Sequence, residues 1–233
     1  NATTTTQIHQ DDHRQITVRL ESARQGPLRM GRTFGFDRVF GPGSSQADLF
    51  EEVAAPLVDA VLEGFNAVCF AYGQTGSGKT FTMHGATTKG DARGLMARSV
   101  ERLLAGVEQR TAAEPDANYS VTCSMLQLYQ ETATDCLSRG GGSLRVREDG
   151  AGRTHVEGLR HEPILTIADA MRLIATGAAN RTVGGTSQNA ESSRSHSVFT
   201  LKLTSDLPGP GEEAESGGER RLRRPPTRSR RAG

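Results

Sequence analysis

The sequence contains Gly73-Gln74-Thr75-Gly76-Ser77-Gly78-Lys79-Thr80, which has the G-x-x-x-x-G-K-[ST] spacing of a phosphate-binding loop. The preceding residues 66–71, Asn-Ala-Val-Cys-Phe-Ala, form a short apolar run that is typical of a buried parallel strand. Residues 80–83, Thr-Phe-Thr-Met, can open a helix directly after the loop. The stretch therefore predicts a strand, a loop and a helix in succession, which is the context that this motif requires.

The residue types in this loop suit phosphate chemistry. Its glycines let the backbone curl around phosphate oxygens, while successive N–H groups and the start of a helix present partial positive charge. Lys79 is spaced to reach the β- and γ-phosphates, and the Thr80 hydroxyl is spaced to hold Mg²⁺. The alternative is a flexible Gly/Ser loop with a chance lysine, but the chain has only three lysines. We therefore predict a nucleotide site at residues 73–80.

Composition limits the remaining function classes. The net charge of +1 gives no general attraction to nucleic acid or to membranes, so neither is predicted as a partner. Three widely spaced cysteines form neither a metal-binding pattern nor a disulfide framework, which favours a reducing compartment. No apolar run has the length of a membrane span, and the first residues lack the apolar segment of a signal peptide. We expect a soluble intracellular protein.

The order of apolar and polar segments predicts a domain between two disordered ends. Residues 1–13 are polar, with four consecutive threonines, and predict a disordered leader. Residues 206–233 are rich in Pro, Gly and Arg, and predict a disordered tail. Between them, at 14–205, strands alternate with helices around the loop. This pattern predicts an α/β fold with a central, mostly parallel sheet flanked by helices.

Several elements within this domain can be placed in advance. A helix is predicted from Ser44 or Ser45 to about Gly64, with a kink or break at Pro56. Residues 90–94 predict an exposed linker. The other predicted elements are strands at 34–40, 119–129 and 197–203, a pairing of 144–147 with 154–156, a helix at 95–107, and a helix at 166–175 that ends near Gly177.

A second polar motif follows the last predicted helix. It reads Asn189-Ala190-Glu191-Ser192-Ser193-Arg194-Ser195-His196 and leads into the alternating strand at 197–203. Its hydroxyls could complete a Mg²⁺ shell and position a water, and its arginine could hold the loop closed by pairing with a carboxylate. Taken alone it is an ordinary Ser-rich connection, but a phosphate loop in the same chain favours the functional interpretation.

Together the two motifs resemble the kinesin motor superfamily. Asn-x-x-Ser-Ser-Arg-Ser-His is similar to switch I of that family, and residues 71–83 are similar to its phosphate loop. Residues 36–40 resemble a strand of the family, and residues 57–66 resemble the helix before the loop. The resemblance covers about residues 14–205, and it implies a truncated kinesin-like motor head with the fold of a P-loop NTPase.

The resemblance implies ATP and Mg²⁺ as ligands and microtubules as the partner, with a cytoplasmic, cytoskeletal location. Residues 73–80 would bind the ATP phosphates, with Thr80 and Ser193 near Mg²⁺. Ser192 and Ser193 would position or deprotonate the lytic water, Arg194 would form a latch, and Asn189 belongs to the same catalytic motif. Arg145 and Arg147 would lie near a hairpin that faces the microtubule, or would simply form a solvated strand face.

The sequence departs from the family pattern at both ends. No Arg-x-Arg-Pro precedes Ile16, and the switch II sequence of the family, Asp-Leu-Ala-Gly-Ser-Glu, is absent. Residues 206–211 read Asp-Leu-Pro-Gly-Pro-Gly, but they follow switch I too closely to be switch II and have Gly211 in place of the family's glutamate. Three hypotheses therefore stay open. The first is a motor head that couples ATP hydrolysis to movement along microtubules. The second is a truncated, catalytically impaired nucleotide-binding remnant or gene-model fragment, and the third is a non-motor tubulin-binding module.

Overall fold

A computed structural model of the protein describes residues 2–8, 14–22, 32–86, 90–138, 140, 142–183 and 195–206. The chain divides into two compact units, Asn1–Leu49 and Phe50–Gly233. Residues 207–233 lie outside the described residues, so the predicted disordered tail stays a prediction, as does the domain boundary at 205. The described Asp206 accepts hydrogen bonds on its carboxylate from the backbone N–H of Asn118 at 2.8 Å and from Asn118 Nδ2 at 2.6 Å.

The first unit contains a three-stranded antiparallel sheet in the order β1-β2-β3. Its strands are β1, Ala2–Ile8, β2, Gln15–Ser22, and β3, Arg32–Gly35. The structure thus describes a paired strand at 2–8, where we expected part of a disordered leader at 1–13. The physical reason is that threonine is β-branched and favours strands, so a threonine run can pair along its whole length with β2. β3 is also shorter than the strand predicted at 34–40.

The predicted helix after Ser44 or Ser45 is present but divided. It comprises α1, Gln46–Leu49, a π-helical turn, Phe50–Ala54, and α2, Ala55–Leu62. Ser45 caps α1, since its N–H and Oγ each lie 2.8 Å from the Asp48 carboxylate, and the Asp48 N–H donates to Ser45 Oγ. Proline lacks the N–H that a helix interior uses, so Pro56 stands in the first turn of α2 with the irregular turn before it. The predicted break is confirmed.

A sheet around one long strand organises the second unit. This strand, β4, spans Tyr119–Tyr129 as predicted, and it pairs antiparallel with β5, Thr132–Asp135, β8, Glu162–Pro163, and β9, His196–Ser205. A separate hairpin consists of β6, Arg145–Glu148, and β7, Thr154–Glu157, which confirms the predicted pairing. Helices pack with this sheet, so the α/β class is confirmed, although the strand pairs that the structure describes are antiparallel.

The helices of the second unit supply the other half of its core. After α3, Lys79–His84, a 3-10 turn at Gly90–Ala92 leads into α4, Leu95–Ala113, and the last helix is α5, Ile167–Val183. The buried cluster joins α2, α4, α5 and β4 through Val58, Val100, Leu103, Val121, Cys123, Ile164 and Ala170. No helix among the described residues is long and apolar enough to cross a membrane.

Gly177 does not end α5, contrary to the prediction from sequence. The helix continues to Val183, and Gly177 is buried inside it. A Cβ at this position would collide with the Sδ atom of Met125 on β4. Glycine therefore allows the close approach of α5 to the Met125 side chain on the sheet, rather than acting as a helix terminator.

Residues 66–71 do not form the buried parallel strand that we predicted. They run without strand pairing in the part of the chain that the structure describes, and their side chains alternate between half-buried and exposed. Val68 is 81% exposed and Phe70 is 82% exposed. The physical reason is that a parallel strand is stabilised by neighbours along its edges, and none of the described strands lies beside this segment.

An ion pair between α2 and α4 makes stability depend on pH. Arg102 donates from Nε to Asp59 Oδ1 at 2.7 Å and from Nη2 to Oδ2 at 2.8 Å. The hydrogen bond from Arg102 lowers the pKa of Asp59, so the pair stabilises the fold above the unfolded pKa of the carboxyl. This contribution is lost as the pH falls through the folded pKa.

We therefore expect Asp59→Asn to be less stable than wild type near neutral pH and to lose less stability on acidification. Both side chains are more than a third exposed, at 46% and 38%, so the difference stays below about 1 kcal/mol. Urea unfolding at about pH 6 and about pH 3 measures it. Arg102→Ala should remove the same acid dependence, and a double variant that added a further loss would contradict the pairing.

Candidate phosphate-binding site

Residues 73–78 form a loop between the segment 66–72 and α3, and residues 79–80 of the predicted site open that helix. Gly76 has φ +83° and Gly78 has φ +91°, a left-handed conformation in which any other residue is strained. The space around both positions is open, with no heavy atom within 4 Å of a hypothetical Cβ. At Gly73, a Cβ would collide with Ser77 Oγ. The predicted glycine roles in curling the backbone are therefore visible in the geometry.

The Lys79 ammonium lies over this loop. Its Nζ donates to the carbonyl oxygen of Gly73 at 2.7 Å and to that of Gln74 at 2.8 Å. An ammonium has three donors, so these bonds leave one donor to offer to an anion. Lys79 is half-buried, which reduces the screening of its charge.

The residues around Lys79 fit the ligand that the sequence predicts. Ser77 N–H donates to Gln74 O at 3.2 Å, which closes a tight turn, and Thr82 N–H donates to Gly78 O at 2.8 Å, which begins α3. Thr80 stands in the first turn of α3 and is exposed. An exposed hydroxyl next to a lysine in an open glycine loop suits a phosphate with its Mg²⁺.

The far end of α3 carries a half-buried histidine. Burial lowers the pKa of His84, and the positive charge of Arg181 lowers it further. Arg181 lies near the end of α5, and its Nε is buried without a hydrogen-bond partner among the described residues. The adjacent Asn180 donates from Nδ2 to Cys136 O at 2.7 Å, which fixes this part of α5 against the turn after β5.

The switch I residues cannot be compared with the structure. Asn189, Ser192, Ser193 and Arg194 lie outside the described residues, so their catalytic and metal roles stay predictions. The end of the motif is described: His196 opens β9 opposite Leu128, and the preceding Ser195 Oγ is buried with no partner in the described ranges.

The two arginines predicted near the partner surface lie on the β6–β7 hairpin. Arg145 and Arg147 are both exposed, and Arg147 Nε lies 3.1 Å from Glu157 Oε2 across the strands. Both partners of this ion pair are more than half exposed, at 51% and 60%, so the pair is well solvated. The geometry is compatible with a partner surface and with a solvated strand face.

Sequence reasoning missed the segment that follows α3. We predicted an exposed linker at 90–94, but residues 90–92 form a 3-10 turn, and Gly94 is buried and hydrogen-bonded back to His84. The sequence signal that could have indicated this close backbone contact is the pair of glycines, Gly85 and Gly94, that flank the segment.

Comparison with known proteins decides the family. The kinesin motor domain family matches residues 1–219. The chain belongs to the kinesin motor domain family. It is 45% identical over 184 residues to the kinesin-like protein KIN-12A of Arabidopsis thaliana, a match that covers 75% of this chain and 14% of the relative. It is 36% identical over 209 residues to KIN-5A of the same plant, covering 83% of this chain and 20% of the relative.

A solved kinesin structure supports the same conclusion about the fold. The structure of a fast kinesin superposes with a TM-score of 0.76 at 31% identity, covering 88% of this chain and 55% of that one. The kinesin resemblance and the P-loop NTPase fold class are thereby confirmed. The chain spans about half of that kinesin structure and about a seventh of KIN-12A.

Proposed function

We propose that this chain is the nucleotide-binding part of a kinesin motor head, which binds ATP and couples its hydrolysis to movement along microtubules. The observation that carries the proposal is the phosphate loop, with the Lys79 ammonium bonded to the Gly73 and Gln74 carbonyls and two glycines in left-handed conformations. Membership of the kinesin motor domain family supports the choice of ATP over other phosphate ligands.

Each part of the site has a distinct proposed role. The backbone of 73–80 and Lys79 would hold the phosphates, and Thr80 with Ser193 would hold Mg²⁺, which neutralises phosphate charge when bound. Ser192 and Ser193 would position the lytic water, and Arg194 would act as a latch, with Asn189 in the same motif. These switch I roles rest on the sequence motif alone.

Microtubules are the proposed partner, and a cytoskeletal, cytoplasmic location follows from that partner. The similar fast kinesin is described in terms of its ATPase mechanism and its interactions with microtubules. In this chain the exposed Arg145 and Arg147 offer positive charge on one hairpin, which suits an acidic protein surface.

Nucleotide-dependent pelleting tests the proposal. We expect the chain to bind Mg-ATP and to pellet with microtubules at least about tenfold more tightly with a non-hydrolysable ATP analogue than with ADP, because a motor couples nucleotide state to track affinity. Equal pelleting in both nucleotide states would instead favour a non-motor tubulin-binding module. Failure to bind Mg-ATP would overturn the nucleotide site.

A second candidate is a nucleotide-binding chain with impaired catalysis. The segment 66–72 favours it, because the phosphate loop here follows a run without strand pairing among the described residues, with Tyr72 95% exposed. Phosphoryl transfer depends on precise positioning, so a poorly supported loop should bind nucleotide yet turn it over slowly. Phosphate release that microtubules accelerate, measured on this 233-residue chain, would contradict this candidate.

A further inference from the structure

Backbone contacts close the segment between α3 and α4 at a point that we call the loop neck, residues 84–86 and 92–94. Gly94 N–H donates to His84 O at 3.1 Å, and Ala86 N–H donates to Ala92 O at 3.0 Å. A Cβ on Gly85 would collide with Ala92 O, and a Cβ on Gly94 would lie 2.5 Å from Gly85 N. The two backbones are therefore in direct contact, and only glycine fits at both positions.

One arginine on α4 holds this segment. Arg98 donates from Nε to Arg93 O at 3.1 Å and from Nη2 to Asp91 O at 3.0 Å. Arg93 adds an ion pair from Nη1 to Glu101 Oε2 on α4 at 3.1 Å. The planar guanidinium presents its N–H donors in a fixed fork, so Arg98 binds the two carbonyls in one rigid geometry. Since the residues of α4 around Arg98 are buried, this side chain ties the neck to the core.

The short helix that leads from the phosphate loop to the neck is only partly buried. α3 comprises six residues, and none of them is buried. Its first residues are Lys79 and Thr80, and its last is His84, which belongs to the neck and accepts a hydrogen bond from Gly94 N–H on its carbonyl. Contacts at the two ends of α3 therefore contribute to its position, and with it to the direction of the Lys79 and Thr80 side chains.

We propose that Arg98 is a positioning residue for the phosphate loop: through the carbonyls of Asp91 and Arg93 it fixes the loop neck, and the neck fixes α3. The consequence for nucleotide affinity rests on the proposed binding of Mg-ATP at residues 73–80. The consequence for the order of α3 does not require a nucleotide.

The test compares Arg98→Ala, Arg98→Lys and Arg110→Ala in the full chain. Arg110 is the matched control, because it lies in the last turn of the same helix, far along it from the neck. We expect Arg98→Ala to speed amide hydrogen exchange at residues 79–86 without nucleotide and to raise the Kd for Mg-ATP about tenfold, since two hydrogen bonds are lost. For Arg98→Lys, the exchange rate and the Kd should lie between those of wild type and Arg98→Ala. For Arg110→Ala, both should match wild type.

Exchange along β4, residues 119–129, separates positioning from general destabilisation. It should be unchanged in Arg98→Ala, whereas an equal increase at 79–86 and in β4 would overturn the proposal. Exchange at 79–86 within about twofold of wild type would overturn it as well. If the wild-type chain failed to bind Mg-ATP, the proposed function would be refuted, and the exchange result would still decide the role of Arg98.

Discussion

Lys79→Ala is expected to weaken Mg-ATP binding by at least about a hundredfold, because hydrogen bonds to charged groups contribute about 1.5–3 kcal/mol each and the variant loses the charge itself. The residue lies in the loop with its ammonium already held over the opening by the Gly73 and Gln74 carbonyls. Little ordering is then needed for it to meet a phosphate. Removing it also leaves those two carbonyls without this donor.

The measurement is a calorimetric titration of the chain with Mg-ATP. Lys202→Ala is the matched control, because Lys202 is an exposed residue in β9 and the substitution removes the same charge. It should bind as wild type does. Unchanged affinity in Lys79→Ala would remove the loop from the nucleotide site, and an equal loss in both variants would show only a general dependence on positive charge.

Leu103→Ala is expected to lower the free energy of unfolding by about 2–5 kcal/mol, the range observed for large-to-small changes in protein cores. Leu103 on α4 is 1% exposed and belongs to the cluster with Val58, Val121 and Ala170. The substitution leaves a cavity where three helices meet the sheet. Because α4 also carries Arg98, the order of the loop neck should decline with overall stability.

Chemical unfolding followed by circular dichroism measures this loss. Leu165→Ala makes the same chemical change at a side chain that is 84% exposed, and it should stay within about 0.5 kcal/mol of wild type. A loss below about 1 kcal/mol for Leu103→Ala would show that the α4 face is not part of a tightly packed core.

Local signals in the sequence predicted most of the described elements after Ser44. Alternation placed β4 at 119–129, and capping residues placed the starts of α1 and α5: Thr166 Oγ1 donates to the Asp169 carboxylate at 2.8 Å. The glycine spacing placed the phosphate loop. These features depend on neighbours in the chain, which a sequence pattern records directly.

Features that depend on distant partners were predicted less well. Gly177 indicated a helix end, but its role is set by Met125 on another element. Residues 66–71 have the composition of a buried strand, but burial also requires neighbouring strands, and local composition does not show whether they are present. The hydrogen bonds from Arg98 to loop carbonyls were missed for the same reason. The sequence around an arginine on a helix does not indicate which carbonyl oxygens will accept its hydrogen bonds.

The pairing of β4 with β9 has a consequence for how the chain acquires its structure. The strands pair from Tyr119 with Ser205 to Leu128 with His196, and all of residues 129–195 lies between them. Contacts between such distant segments slow folding, because the chain loses the entropy of closing a large loop before the strands gain the free energy of pairing. During synthesis β4 therefore emerges long before β9, and the unpaired N–H and C=O groups along its edge are open to other nascent chains or to chaperones until the ribosome has released residues 196–205.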